Sequence, residues 1–396
     1  MFEFTKPAPL DPVLGLKDII NQDQRKNKIN LGIGIYTDTY GNTPILDCVK
    51  QAESILIETE TTKNYLNIEG LPSFIEKTKK IIFGEDTIQY ENIASAQTPG
   101  GTSALKIIAD FLIKNTQIRR IWISNPSWPN HKKIFYTSGF EIREYPYFNK
   151  DKNVINFFEM KDCLNNIDKN DAVILHGCCH NPTGMDLKND QWIELAKIAQ
   201  KKCWIPIFDY AYQGFAYGLK EDMLGIKVFS KFIQEFIVCH SYSKNISIYN
   251  ERVGTCNIVT KNQKHASIVF SQLKSVIRSN YSNPPAHGGS IVNLILSNHS
   301  LFNLWLNELS NMRNRIILMR KLFVETLYNL NCKKNFNFIL KQNGMFSFIG
   351  LNYENVLKLR KIYGVYVVDS GRLNFAAMTE SNILYICKAI KKILKK

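Results

Sequence analysis

SYSKNISIYNERVG, residues 241–254, sets Lys244 between two small hydroxyl residues, Ser241 and Ser243, and places Arg252 eight residues further on. The run just before it, EFIVCH at 235–240, is short and apolar. Upstream, WIPIFDYAYQGF at 204–215 ends a second apolar run in Asp209, with Tyr212 three residues later. Both runs read as buried strands of a parallel sheet. In open α/β sheets ligands sit beyond the carboxyl ends of the strands, and both segments deliver their polar residues there. The expected fold class is therefore α/β, with a mostly parallel central sheet.

Two more segments deliver polar groups in the same way. DAVILHGCCHNPTG (171–184) is an apolar run followed by His176, His180 and Asn181. TPGGTSALKIIADFL (98–112) reads as a loop of Gly100, Gly101, Thr102 and Ser103 turning into a helix with apolar positions Ala104, Ile108, Phe111 and Leu112. A glycine-rich helix start is an anion site, because its free N–H groups and its dipole both favour negative charge. A lysine able to form a Schiff base, a carboxylate, a phenol and an arginine suited to phosphate together match one cofactor, pyridoxal phosphate. That combination points to amino-group chemistry.

Composition narrows the classes without choosing among them. A chain of 396 residues with 45% hydrophobic content can bury a large core. No apolar run is long enough to suggest a membrane span. The start, MFEFTKPAPL, lacks the charged and apolar regions of a signal peptide. Nine cysteines, an odd number with no CxxC pair, argue against a disulfide framework and against a zinc site, so no metal is expected. A cytoplasmic location follows as an expectation. The formal charge of +15 comes from lysines scattered along the whole chain, whereas a nucleic-acid binder concentrates them in a stripe with interleaved aromatics. No nucleic-acid partner is expected. LFNLWLNELSNMRNRIILMRKLFVETLYNL, from Leu301, has no glycine or proline and helical periodicity, and at 1.5 Å per residue would span roughly 45 Å.

The chain resembles the bacterial aspartate aminotransferases, fold-type-I pyridoxal-phosphate enzymes. The likeness runs from the PAPLDPVLGL opening to the end of the chain and is carried by LGIGIY, TTKNYLNIEG, QTPGGTSALK, NPSWPNH, HGCCHNPTG, FDYAYQGFA, SYSKNISIYNERVG, IRSNYSNPPAHG, KQNGMFSF and SGRLNFAAMT. Ten in order make a specific match. The departure lies after Lys244, where Ile246 and Ser247 stand in place of the usual phenylalanine and glycine. The resemblance implies a large cofactor domain over 43–311 holding the parallel sheet. A smaller α+β domain would combine residues 1–42 with 312–396, and the molecule would be a homodimer with shared active sites.

The roles implied by the resemblance are as follows. Lys244 would carry the cofactor and move the proton of the substrate α-carbon. Asp209 would face the pyridine nitrogen, with His131 behind it and His176 and His180 in support. Tyr212 and Asn181 would donate to the ring oxygen, and Trp128 would stack on the ring. Arg252, Ser241, Ser243, Gly101 and Thr102 would hold the phosphate, joined by Tyr65 of the neighbouring subunit. Arg372, with Asn181 and the Gly34 backbone, would grip the α-carboxylate; Arg278 would reach across from the other subunit to the distal one. The implied substrates are amino and keto dicarboxylic acids, L-aspartate and 2-oxoglutarate. The alternative is a broad aromatic aminotransferase of the same subfamily, although Asn64, Thr102 and Asn283 resemble the aspartate-specific members. Asn125–Pro126 and Asn181–Pro182 stand where cis peptide bonds are expected.

Overall fold

The apolar runs become a seven-stranded sheet. Its strands are β1 (Ile93–Pro99), β2 (Arg120–Asn125), β3 (Glu141–Pro146), β4 (Asp171–His176), β5 (Ile205–Tyr210), β6 (Phe236–Ser241) and β7 (Val253–Val259). The computed structural model describes residues 2–7, 15–85 and 87–394; most of the PAPLDPVLGL opening lies outside them. The order across the sheet is β1-β7-β6-β5-β4-β2-β3. Only β7 runs against its neighbours β1 and β6, and the remaining pairs are parallel. Strands β6 and β7 are buried at every position, as expected of a sheet covered on both faces.

Helix α1 (Gly100–Asn115) covers one face, burying Ala104, Leu105, Ile108, Phe111 and Leu112. The other face carries Phe208, packed on Phe236 beside it and on Trp192 and Phe229 from the helices at 189–202 and 224–229. Two further helices matter below: α2 (Pro129–Thr137) and α3 (Gln263–Asn280).

Helix α4 (His299–Asn329) has 31 residues, a length of about 46 Å at 1.5 Å per residue. It begins two residues before the predicted start, because the Asn298 side chain accepts from the free N–H groups of Ser300 and Leu301. Trp305, Leu309, Met312, Ile316, Met319, Phe323 and Leu327 line its buried face at helical spacing. Its far end packs on the helix Glu380–Leu394.

A smaller α+β assembly surrounds that end. Phe346–Phe348 pairs antiparallel with Arg372–Asn374, and Ile29–Asn30 pairs parallel with Val365–Tyr366. The N-terminal segment is thereby tied to the C-terminal part of the chain. No helix among the described residues is long and apolar enough to cross a membrane.

Candidate active site

The sheet topology explains why residues far apart in sequence meet. Strands β1, β2, β4, β5 and β6 end at one edge, so Gly101, Trp128, Asn181 and Lys244 follow strand ends there and Asp209 is the penultimate residue of β5. Strand β7 is reversed, so its beginning lies at that edge; Val253 pairs with Pro99, and Gly254 with Ser241. Arg252 therefore arrives beside the start of α1. The cavity between them measures about 240 Å³.

One end of this cavity is a cradle of donors. Arg252 Nη1 donates to Ser243 Oγ at 3.1 Å, and Ser241 Oγ donates to Ser243 Oγ at 3.1 Å. Gly100 has φ +79°, and a Cβ there would lie 2.5 Å from Arg252 Nη2. The glycine is thus required twice, by its backbone conformation and by the close approach of the guanidinium. Arg252 itself has φ +56°, a left-handed conformation that costs a non-glycine residue about 1–3 kcal/mol and occurs most often at functional sites. Gly101 and Thr102, in the first turn of α1, also line this end.

The floor is a buried acid. Asp209 Oδ2 accepts from His131 Nε2 at 2.8 Å, and His131 is fully buried in α2. Ser127 Oγ bridges His131 Nδ1 at 3.0 Å and His176 Nε2 at 3.3 Å. Burial alone would raise the Asp209 carboxyl. The His131 hydrogen bond, with the electrostatic pull of His131 and Lys244, outweighs it and holds the group below its ordinary value. Burial pushes His176 down to about 3, so its ring is neutral. His180 lies farther from the cavity, bonded to Ser124 and Thr183 and stacked on Tyr147 at 3.8 Å.

Above the floor sits the lysine. Burial pulls the Lys244 amine down to about 8; Asp209 opposes that shift, while Arg252 and Arg372 add to it. Its Nζ lies 5.1 Å from the centre of the Tyr212 ring. Trp128 is half-buried at the mouth, edge-on to His131 with centroids 5.2 Å apart.

The other end holds a second cation. Arg372 Nη1 donates to Asn181 Oδ1 at 3.1 Å and Nη2 to the Gly32 carbonyl at 2.6 Å. Its Nε is buried without a partner, and its guanidinium lies 3.9 Å over the Phe346 ring. Gly34 lines the same end. Asn125–Pro126 and Asn181–Pro182, on the segments carrying Trp128 and Asn181, are both cis as expected.

Most of the expected residues meet in this one cavity, with His131 directly behind it. Tyr65 and Arg278 do not. Tyr65 is 91% exposed, and Arg278 is exposed at the end of α3, donating to Ser282 Oγ. Four lining residues were not anticipated: Leu105, Ala211, Tyr249 and Phe346. Tyr249 and Phe346 lie inside quoted strings, SYSKNISIYNERVG and KQNGMFSF, but only the packing shows that their rings face the cavity.

The donor set fits pyridoxal phosphate. Asp209 is the only carboxylate lining the cavity among the described residues, so the Arg252 cradle is free to take a dianion. The unpartnered Nε of Arg372 fits a further anion at the opposite end. No group of three or more His, Cys, Asp or Glu among the described residues could hold a metal ion.

Comparison with known proteins bears on the same site. Residues 26–390 match the family model described as aminotransferase class I and II. The chain is 51% identical, over the full length of both, to the aspartate aminotransferase of Escherichia coli. It is 38% identical over 99% of both chains to the aromatic-amino-acid aminotransferase of Pseudomonas aeruginosa. Among solved structures, the aromatic-amino-acid aminotransferase of Burkholderia pseudomallei, covalently bound to pyridoxal phosphate, superposes with a TM-score of 0.97 at 40% identity over all of both chains.

Proposed function

The chain belongs to the class I and II aminotransferases, and we propose that its reaction moves the amino group of L-aspartate to 2-oxoglutarate, giving oxaloacetate and L-glutamate in two alternating half-reactions. The observation that carries this reading is a buried lysine over a buried ionised aspartate, with one arginine cradle for phosphate and a second arginine, Arg372, at the opposite end. The greater identity to an aspartate aminotransferase than to an aromatic one supports the substrate.

When bound, pyridoxal phosphate supplies a carbonyl that takes up the amino group and a ring that withdraws electrons from the substrate α-carbon. Arg252, Ser241, Ser243 and the start of α1 would hold its phosphate, Trp128 its ring face, and Tyr212 with Asn181 its ring oxygen. The Asp209 carboxylate, kept ionised by His131, would hold a proton at the ring nitrogen. Lys244 is suited to proton transfer because burial brings it to about 8, near the working pH. Its Nζ would take the proton from the substrate α-carbon and return one at the end of the half-reaction. Arg372 would grip the α-carboxylate, assisted by Asn181 and the Gly34 backbone, and each charged hydrogen bond contributes about 1.5–3 kcal/mol.

The distal carboxylate would fall to Arg278 of a second subunit, and the phosphate would gain Tyr65 from it. Both residues stand exposed and outside the cavity of their own chain, the arrangement a homodimer with shared sites requires. Residues 43–311 would form the large domain, and 1–42 with 312–396 a small domain that closes on substrate and dries the site. A cytoplasmic location accords with nine cysteines that are all free. Steady-state transamination with 2-oxoglutarate tests the function, comparing kcat/KM for aspartate with that for phenylalanine and tyrosine. A strong aspartate preference is expected. Comparable values would make the enzyme a broad aromatic and dicarboxylic aminotransferase, and no turnover with either would remove the assignment.

A further inference from the structure

Arg320, in the C-terminal half of α4, is 3% exposed, yet its hydrogen bonds go to no carboxylate. Nη2 donates to the carbonyls of Gly344 at 2.8 Å, Phe346 at 2.9 Å and Asn343 at 3.3 Å, and Nη1 donates to Ser347 Oγ. The guanidinium lies 4.7 Å over the Phe375 ring. A buried charge is expensive, and an apolar side chain of similar size could fill such a place at lower cost. The fork instead grips one short segment, residues 343–347, a bend that runs into the strand Phe346–Phe348. From its other side the segment is tied to the loop after β4: Asn343 N donates to the Gly184 carbonyl at 2.7 Å, and Asn343 Nδ2 to Asp186 at 3.0 Å.

What this segment presents to the cavity is the Phe346 ring. The ring lies 3.9 Å beneath the Arg372 guanidinium and edge-on to Tyr212 at 5.9 Å. It also crowds Gly34, where a Cβ would lie 3.2 Å from Phe346 Cζ. Three groups at the substrate end thus meet one aromatic ring, whose backbone pairs with Asn374 and is gripped at its carbonyl by Arg320.

We propose that Arg320 is a positioning residue for carboxylate recognition, fixing Phe346 beneath Arg372 and beside Tyr212 and so setting the affinity for the substrate α-carboxylate. The inference rests on the reading of Arg372 as the α-carboxylate site. Guanidinium–ring alignment is directional, so a displaced ring loosens Arg372 without removing it.

The test compares Arg320→Lys, Arg320→Met, Phe346→Leu and Arg320→Lys/Phe346→Leu. Each is measured for KM and kcat with both substrates and for calorimetric binding of succinate, which has two carboxylates but no reacting group. Arg320→Met is expected to raise KM for aspartate and 2-oxoglutarate together by about tenfold, with kcat changed less than about twofold. Succinate affinity falls in step, Arg320→Lys is intermediate, and Phe346→Leu reproduces the pattern. The double variant is no worse than its worse parent, because both changes act on one contact. A fall in thermal stability with KM and succinate binding unchanged overturns the proposal, as do additive losses in the double variant. Should Arg320→Met fail to fold, Arg320→Lys and Phe346→Leu decide it by the same criteria. A wild-type enzyme that neither binds succinate nor transaminates removes the Arg372 reading and this inference with it. A wild type that does both, matched by Arg320→Lys, removes this inference alone.

Discussion

Lys244 concentrates the residue-scale physics. Its amine is brought to about 8 mainly by burial, whereas in the unfolded chain it titrates near the ordinary lysine value. Below about 8 both states carry the proton, and the native state alone bears the cost of a buried charge. As pH rises toward about 10.4 the unfolded chain still binds a proton that the native state has released, so that cost disappears. The cofactor-free protein should therefore be less stable than its Lys244→Met variant near pH 7, with the gap closing between pH 8 and 10; urea unfolding across that range checks it. Lys244→Ala should abolish transamination, and wild-type rates in that variant would refute the mechanism. Ser247, at φ +57° where the family resemblance implies glycine, is a different case. A left-handed serine costs about 1–2 kcal/mol, but its hydroxyl donates to the Pro44 carbonyl at 3.0 Å. Ser247→Ala keeps the strain and loses the bond, so it should destabilise by about 1 kcal/mol. Ser247→Gly relieves the strain, loses the same bond and adds unfolded-state entropy, leaving it within about 0.5 kcal/mol of wild type. Denaturant midpoints that rank the two variants the other way would show that strain does not govern this position.

At the scale of elements, the site depends on two ends meeting. The first residue of α1 and the residue before β7 are pressed together, with no room for a Cβ at Gly100. Gly100→Ala should displace Arg252 and weaken pyridoxal phosphate binding by at least about tenfold, while the sheet itself survives. Equilibrium titration of the cofactor-free protein measures this, and unchanged affinity would separate the cradle from phosphate binding. Helix α4 supports the lysine loop from beneath. The indole of Trp305, fully buried, donates to the Asn245 carbonyl at 2.8 Å, next to Lys244. Trp305→Phe should cost about 1–3 kcal/mol, since it leaves that buried carbonyl without its donor. The helix was legible from its periodicity and from the absence of glycine and proline. Its contact with Asn245 was not, because sixty residues separate the two.

For the whole molecule, the decisive question is where Tyr65 and Arg278 act. If they complete the site of a second subunit, two inactive variants should rescue one another. In a hybrid of Lys244→Ala and Arg278→Asp subunits, one site keeps the intact lysine of one chain and the intact arginine of the other. Mixing the two after subunit exchange should restore aspartate turnover that neither variant shows alone, in a species of twice 45.6 kDa by sedimentation. Absence of rescue in a confirmed hybrid dimer would return Arg278 to the surface of its own chain.

The sequence alone determined the local facts: apolar runs of strand length, a glycine-rich helix start, a long helix without breakers, and the identities of the lysine, acid and arginines. These are legible because backbone preference and burial periodicity act over a few residues. Ten ordered strings extended that reading to the family and its cofactor. Tertiary structure decided the rest. The reversal of β7 brings Arg252 to the edge where Lys244 and Asp209 stand. The pairing of Phe346–Phe348 with Arg372–Asn374 brings Phe346 beneath Arg372, and a buried arginine on α4 grips the same segment. Such contacts join segments tens to hundreds of residues apart, and their partners are chosen by shape and by the need to satisfy buried polar groups, which no local pattern encodes.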